Sequence, residues 1–235
     1  MADVEKEVFM KIIGHIRTDF PDKFGVPRQS GLVESLEGTI IFQPEYRNPE
    51  AVRGLEEFSH IWILWQFSRS KKDNWSATVK PPRLGGKKRV GVFATRSPYR
   101  PNDIGLSCVR LKSIEEHEQE GMVLQVSGVD LVDGTPIYDI KPYIPFTDCH
   151  PEASQGYTGK TRTHQLKVVF PQELLRKYPP EKREAIIGVL AQDPRPAYVR
   201  DPQRLYGVAF AGFDVRFQVE NECLTVREVA PLKTL

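Results

Sequence analysis

A chain of 235 residues with 40% hydrophobic and 27% charged side chains has the balance of a globular protein and the length to bury a substantial core. Its longest apolar stretch, Ile61 to Trp65, is far too short for a membrane-spanning helix, and the charged N-terminus lacks the apolar run of a secretory signal. Net charge is only +2, yet eleven Lys/Arg against two acids fall between Arg69 and Arg110, a local +9 that leaves −7 for the remainder.

The first 148 residues read as short strands separated by turns. Val8 to Thr18, Thr39 to Phe42, His60 to Phe67, Arg89 to Thr95, Leu106 to Ile114, Gly121 to Ser127 and Ile137 to Ile140 are apolar or β-branched runs bounded by Gly, Pro, Asn or Asp. One short helix is expected at Pro49 to Phe58, with Asn48 as its N-cap and Pro49 in its first turn. Seven strands with so little helix predict an antiparallel barrel or a sandwich. Residues 149–164 turn polar and read as a linker. After it, Gln165 to Phe170 predicts a strand and Pro171 to Gln192 a helical stretch broken at Pro179-Pro180. Gly207 to Ala211, Asp214 to Val219 and Leu224 to Val229 predict a three-stranded meander, so residues 165–235 form a small α+β domain.

Several function classes drop out. No strand leads through a GxGxxG or GxxxxGK[ST] turn into a helix, which excludes the usual doubly wound nucleotide-binding signature. Cys108, Cys149 and Cys223 are odd in number and widely spaced, so neither a disulfide framework nor a paired-cysteine zinc site is expected, and a reducing cytoplasm is the expected setting. The five histidines show no metal-ligand spacing, and no serine sits in a nucleophile elbow.

What remains is a basic block with aromatic residues in it. Trp75, Phe93 and Tyr99 interleave with the charge, a combination suited to phosphates and stacked bases. Four segments carry more polar chemistry than a scaffold needs. Phe24 to Leu32 presents Arg28 and Gln29. Lys80 to Gly105 clusters Arg96, Ser97, Arg100 and Asn102 on a loop stiffened by Pro and Gly. Gly128 to Tyr143 places Asp130 and Asp133 on either side of an apolar Leu-Val pair, followed by a Gly-Thr-Pro turn, where two acids can cap the turn, act as a base or orient a cation. Leu190 to Tyr198 offers Arg195 and Tyr198 either as a rigid turn or as a surface contact.

These segments, taken in order, resemble the TsaA/TrmO family. The resemblance rests on Ile13-Gly-His-Ile-Arg17, Val26-Pro-Arg-Gln29, Gly54-Leu-Glu-Glu-Phe-Ser-His-Ile-Trp62, Gly91-Val-Phe-Ala-Thr-Arg-Ser-Pro-Tyr-Arg-Pro-Asn102 and Asp130-Leu-Val-Asp-Gly-Thr-Pro-Ile-Tyr-Asp-Ile-Lys-Pro-Tyr143, covering residues 8 to 148. Leu190-Ala-Gln-Asp-Pro-Arg-Pro-Ala-Tyr198 is similar to the C-terminal domain of longer bacterial members. The resemblance implies a β-barrel that uses S-adenosylmethionine to methylate N6 of threonylcarbamoyl-adenosine, next to the anticodon of tRNA(Thr) reading ACN codons. It also implies a homodimer with the cofactor pocket near the interface.

Carried over by position, the cofactor site takes Pro27, Arg28, Gln29, Ser68, Arg69, Arg96, Asp130, Leu131, Val132, Asp133, Gly134 and Thr135. Ser68-Arg69 departs from the His-Gln found in some relatives. The acceptor nitrogen belongs to a urea-like linkage and needs its proton removed, a task expected of Asp133, with Asp130 supporting the cofactor and Asn102 positioning the acceptor. Arg96 or Arg100 is expected to meet the threonyl carboxylate. The tRNA is expected on Arg83, Lys87, Lys88, Arg89, Arg100 and Arg195. The rival expectation is a non-catalytic module that binds RNA or cofactor on the same barrel.

Overall fold

The computed structural model describes residues 9–70, 75–81, 84, 88–161, 165–195 and 201–232. Its first strands are β1 (Gly14–Thr18), β2 (Glu37–Phe42), β3 (His60–Gln66), the two-residue β4 (Thr78–Val79) and β5 (Val90–Gly91), β6 (Ile104–His117), β7 (Gly121–Ser127) and β8 (Thr135–Pro142). Six of them close a barrel in the order β1-β2-β7-β6-β3-β8, and β4 pairs with β5 alone. The closing contact is β1 with β8, where Gly14 faces Ile137 and Ile16 faces Thr135. Closure leaves the barrel no open edge, and it decides between the two expected β architectures.

Residue alternation explains which side chains enter the barrel. On β3, Ile61, Ile63 and Trp65 are buried while Trp62, Leu64 and Gln66 point outward. On β6 the inward series is Gly105, Ser107, Val109 and Leu111. Two small residues at its start leave room for the indole of Trp65, which pairs in register with Gly105. A bulge between Leu64 and Trp65, on the side facing β8, shifts the register where β3 reaches the end of the barrel.

Two sequence expectations are corrected here. Pro49 to Phe58 forms two 3-10 turns, Pro49–Val52 and Leu55–Glu57, rather than one helix. Gly54 at φ +82° separates them, because a left-handed residue ends helical propagation. Asn48 still caps the first turn, its side chain accepting from the Glu50 amide at 3.0 Å. Arg89 to Thr95 contains only β5 and then a 3-10 turn, Val92–Ala94, that buries Val92 and turns Phe93 outward.

The chain continues through α1 (Pro145–Asp148), β9 (Lys167–Val169), α2 (Gln172–Leu175), α3 (Pro180–Ala191), β10 (Tyr206–Phe210), β11 (Phe213–Glu220) and β12 (Cys223–Pro231). The expected meander gains a fourth strand: β9 lies parallel to β12, giving the order β10-β11-β12-β9. Pro180 opens α3 at its first turn, where a missing amide proton costs nothing.

This sheet and α3 pack directly on the barrel. Phe20 and Phe210 meet with ring centroids 5.1 Å apart, Lys182 pairs with Asp19 at 2.6 Å, and the Ala211 amide donates to the Asp19 carbonyl at 2.9 Å. Gly188 on α3 lies so close to Val33 that a Cβ there would fall 2.6 Å from Val33 Cγ1. The buried side chains of both parts accordingly form one continuous cluster.

Candidate functional site

Strands of the barrel end at a cavity of about 710 Å³, within the range of small-molecule sites. Four segments build it: the 23–29 loop after β1, the turn after β3, the loop from Phe93 to Leu106, and the stretch from Asp130 to Thr135. The turn after β3 is held by the Ser68 amide donating to the Gln66 carbonyl at 2.8 Å and by the Phe67 amide on the Asp103 carbonyl at 2.9 Å. Gln66 Nε2 also reaches Asp103 Oδ2 at 3.2 Å. The first and third segments meet where Arg96 Nη1 donates to Gln29 Oε1.

The charge pattern of this cavity is one-sided. Lys23, Arg28, Arg69, Arg96 and Arg100 line it, and Asp130 is the only acidic residue among the described lining residues. Burial pushes the Asp130 carboxyl up to about 6, opposed by a hydrogen bond from Ser107, by backbone amides including that of Ser30, and by the Arg96 charge. Ser107 itself is fully buried; its Oγ lies 2.6 Å from Asp130 Oδ1 and 2.9 Å from Trp65 Nε1. Apolar walls come from Val26, Trp65, Phe67, Ile104 and Val132.

Most of the residues singled out from the sequence line this cavity: Pro27, Arg28, Gln29, Ser68, Arg69, Arg96, Arg100, Asn102, Asp130, Val132 and Thr135. Three from the Asp130 motif do not. Leu131 is core, and its carbonyl accepts from Thr18 Oγ1 at 3.1 Å. Gly134 sits in a turn at φ +73°, its amide on the Ile16 carbonyl. Asp133 is exposed and turned to the backbone: its Oδ1 accepts from the Thr18 amide at 3.0 Å, and its own amide donates to the Phe20 carbonyl at 2.8 Å. The expectation of a base at Asp133 therefore meets a carboxylate that caps a turn outside the cavity lining.

The expected tRNA contacts divide as well. Lys88 and Arg89 are exposed, with Arg89 braced on Thr78 through Nε to Oγ1 at 2.7 Å. Arg100 faces the cavity and donates to the Thr95 carbonyl at 3.0 Å. Arg195 pairs its fork with Asp193, at 2.7 and 2.8 Å. Arg83 and Lys87 lie outside the described residues. Beside the cavity, the exposed rings of Trp75 and Phe93 stack with centroids 6.3 Å apart and an interplanar angle of 22°.

Lys23, Trp65 and Ser107 were not singled out from the sequence. Ser107 left a signal there: in a strand alternating Gly105, Ser107, Val109, a serine occupies an inward position where an apolar residue is the rule.

Residues 15–149 match the tRNA-methyltransferase O N-terminal domain, and residues 163–232 match the TrmO C-terminal domain. The chain belongs to the tRNA-methyltransferase O family. A relative in Escherichia coli strain K12, named tRNA (adenine(37)-N6)-methyltransferase, is 44% identical over 227 residues, 93% of this chain and 96% of that one. A Pseudomonas aeruginosa relative, 40% identical over the same length with the same coverage, is named for S-adenosylmethionine-dependent methyl transfer. The crystal structure of TrmO from P. aeruginosa superposes with a TM-score of 0.77 at 34% identity, covering 97% of this chain and all of the other.

The donor set of this TrmO-family cavity fits S-adenosylmethionine. Its arginine forks suit a carboxylate, its half-buried Asp130 suits a sulfonium cation, and its side-chain amides and apolar walls suit an adenine.

Proposed function

We propose that this TrmO-family protein uses S-adenosylmethionine to methylate N6 of adenosine 37 in tRNA, acting on the threonylcarbamoylated base of tRNA(Thr) that reads ACN codons. The observation that carries the reading is the cavity itself: among its described lining residues, five cationic side chains surround a single largely buried carboxylate, with Trp75 and Phe93 exposed beside it. A threonylcarbamoyl group adds a carboxylate to the base, which gives an arginine-lined cavity a reason to prefer the modified nucleoside over plain adenosine. The phosphates beside it add to the demand for positive charge, which Lys88 and Arg89 meet on the outer surface.

Bound S-adenosylmethionine supplies an electrophilic methyl group. The chain's own residues then have three tasks. Arg28 and Arg69 offer forks for the donor's carboxylate. Arg96, held by Gln29, and Arg100, held by the Thr95 carbonyl, are oriented before any ligand arrives, which lowers the ordering cost of binding an anionic acceptor. Asn102, on the same wall, has both a donor and an acceptor with which to orient the urea-like linkage. Proximity and alignment do the greater part of such a transfer, since in-line placement of nucleophile and methyl is the main requirement.

The protein is further proposed to work in the cytoplasm, as a homodimer joined through the outward apolar face of β3 and β6. There Trp62 pairs with Cys108 and Leu64 with Leu106, and Leu106 also lines the cavity.

The decisive experiment offers labelled S-adenosylmethionine together with tRNA(Thr) that carries or lacks the threonylcarbamoyl group. Label on the modified tRNA alone is expected. Label on both places the substrate preference elsewhere, and cofactor binding without label on either supports the non-catalytic alternative.

A further inference from the structure

Ser107 is the one polar side chain of the described barrel interior with no exposure at all, and its two partners fix the direction of its hydrogen bonds. An indole N–H can only donate. The Ser107 oxygen therefore accepts from Trp65 Nε1 at 2.9 Å, and its own hydrogen goes to Asp130 Oδ1 at 2.6 Å. This order engages Oδ1 as an acceptor and leaves Oδ2 as the oxygen not bonded to Ser107, the backbone amides of Asp130 and Ser30 also holding the carboxylate. Asp130 is also the sole acid among the described residues lining the cavity. The structure thus delivers one carboxylate to the proposed reaction site, with one oxygen tied down.

Resting on the methyl transfer proposed above, we propose that Asp130 Oδ2 accepts the proton of the reaction and that Ser107 and Trp65 are positioning residues that set which oxygen receives it. The acceptor N6 forms a bond to the methyl carbon, whose bond to sulfur breaks with its electron pair left on sulfur. The N6–H bond breaks with its pair left on nitrogen, and the proton passes to Oδ2. One methyl group and one proton move, and no oxidant or further reactant is consumed.

The surroundings suit the task. Arg96 and Arg100 on the 93–106 segment, Arg28 and Lys23 on the 23–29 loop, and Arg69 after β3 are, with Asp130, the charged groups among the described lining residues, and these five are positive. The Arg96 charge favours the ionised carboxylate, while burial disfavours it more strongly, pushing its pKa up to about 6 and leaving it a stronger base than an exposed aspartate. Loss of the Ser107 hydrogen bond removes a force that favours ionisation, so the carboxyl must move further up.

The test measures methylation of threonylcarbamoylated tRNA by the full-length protein across pH 5 to 9 at saturating donor. Calorimetric binding of sinefungin, a non-transferring analogue, checks the site in Ser107→Ala and Trp65→Phe, and circular dichroism checks the fold of Asp130→Asn, whose carboxylate itself faces the donor. Asp130→Asn is expected to lose about a hundredfold or more in kcat while the KM for tRNA stays near wild type. Ser107→Ala is expected to move the acidic limb of kcat upward by about one pH unit with a nearly unchanged plateau. Trp65→Phe, which keeps the ring and deletes the donor, moves the same limb in part and serves if the serine variant fails to fold. An Asp130→Asn enzyme within about threefold of wild type overturns the proposal, as do Ser107→Ala and Trp65→Phe profiles that overlay the wild type. Wild-type protein that labels no tRNA removes the proposed function and this inference together, whereas wild-type labelling with unshifted variants removes only the inference.

Discussion

Trp65 occupies the space that a side chain at Gly105 would need: a Cβ there would overlap the indole at Cε2 and Cζ2. The two residues face each other across β3 and β6, and the absent side chain is what lets the indole lie inward with its Nε1 on Ser107. Gly105→Ala is therefore expected to destabilise the barrel by about 1–3 kcal/mol, the usual cost of overpacking. Urea unfolding with an unchanged m-value and a lower midpoint is the expected result. An unaltered midpoint would show that the indole has somewhere else to go.

Asp133 gives a contrasting prediction. Its carboxylate holds the Thr18 amide at the exit of β1, so Asp133→Ala is expected to cost about 1 kcal/mol of stability. Methylation at saturating substrates should remain within a few-fold of wild type at a temperature where the variant is folded. A loss of several hundredfold in kcat from the folded variant would return the catalytic role to Asp133.

The raised Asp130 carboxyl sets a pH dependence whose sign follows from linkage. With a folded value of about 6 and an unfolded value of about 3.9, the folded state holds the extra proton between them, so stability falls as pH rises through that window. Above it the cost stays constant, on the order of 1–3 kcal/mol. Asp130→Asn is expected to be more stable than wild type by about that amount at pH 8 and equal to it near pH 4. Denaturant unfolding of both proteins at the two pH values checks this, and a variant less stable at pH 8 contradicts it.

Charge and stacking on the outer surface are separable. Replacing Lys88 and Arg89 with alanine is expected to weaken tRNA binding and to reduce the slope of log K against log salt by about one for each phosphate left without its cation. Trp75→Ala is expected to weaken binding by about 1–3 kcal/mol with the salt slope unchanged, because stacking releases no counterions. Titrations at three salt concentrations distinguish the two. An equal fall in slope for both variants would remove the stacking role.

The outward face of β3 and β6 carries the dimer prediction. Leu64→Glu places a charge at its centre, opposite Leu106, and is expected to convert a dimer to a monomer in light-scattering measurements. A wild-type protein that is monomeric at tens of micromolar would reject that face as an interface.

The β character, most strand positions and the family were legible in the residues, because alternation and turn chemistry act over a few positions at a time. Asn48 caps a turn as its sequence context predicts, but the turn does not propagate into a helix, since Gly54 adopts a left-handed conformation that no local pattern requires. The pairing of β9 with β12 was hidden for a similar reason: parallel neighbours so distant in sequence leave no mark in either strand alone.

The division of labour between the two aspartates shows the boundary most clearly. Sequence determined that Asp130 and Asp133 flank a Leu-Val pair just before a turn, three residues apart, and that arginines and amides of two distant loops carry polar chemistry. It did not determine which carboxylate faces the cavity. The chain runs irregularly from Asp130 into a turn at Asp133-Gly134, so one carboxylate meets Ser107 and the other the Thr18 amide. Burial, and with it basicity, depends on residues up to about a hundred positions away that only the closed barrel brings together.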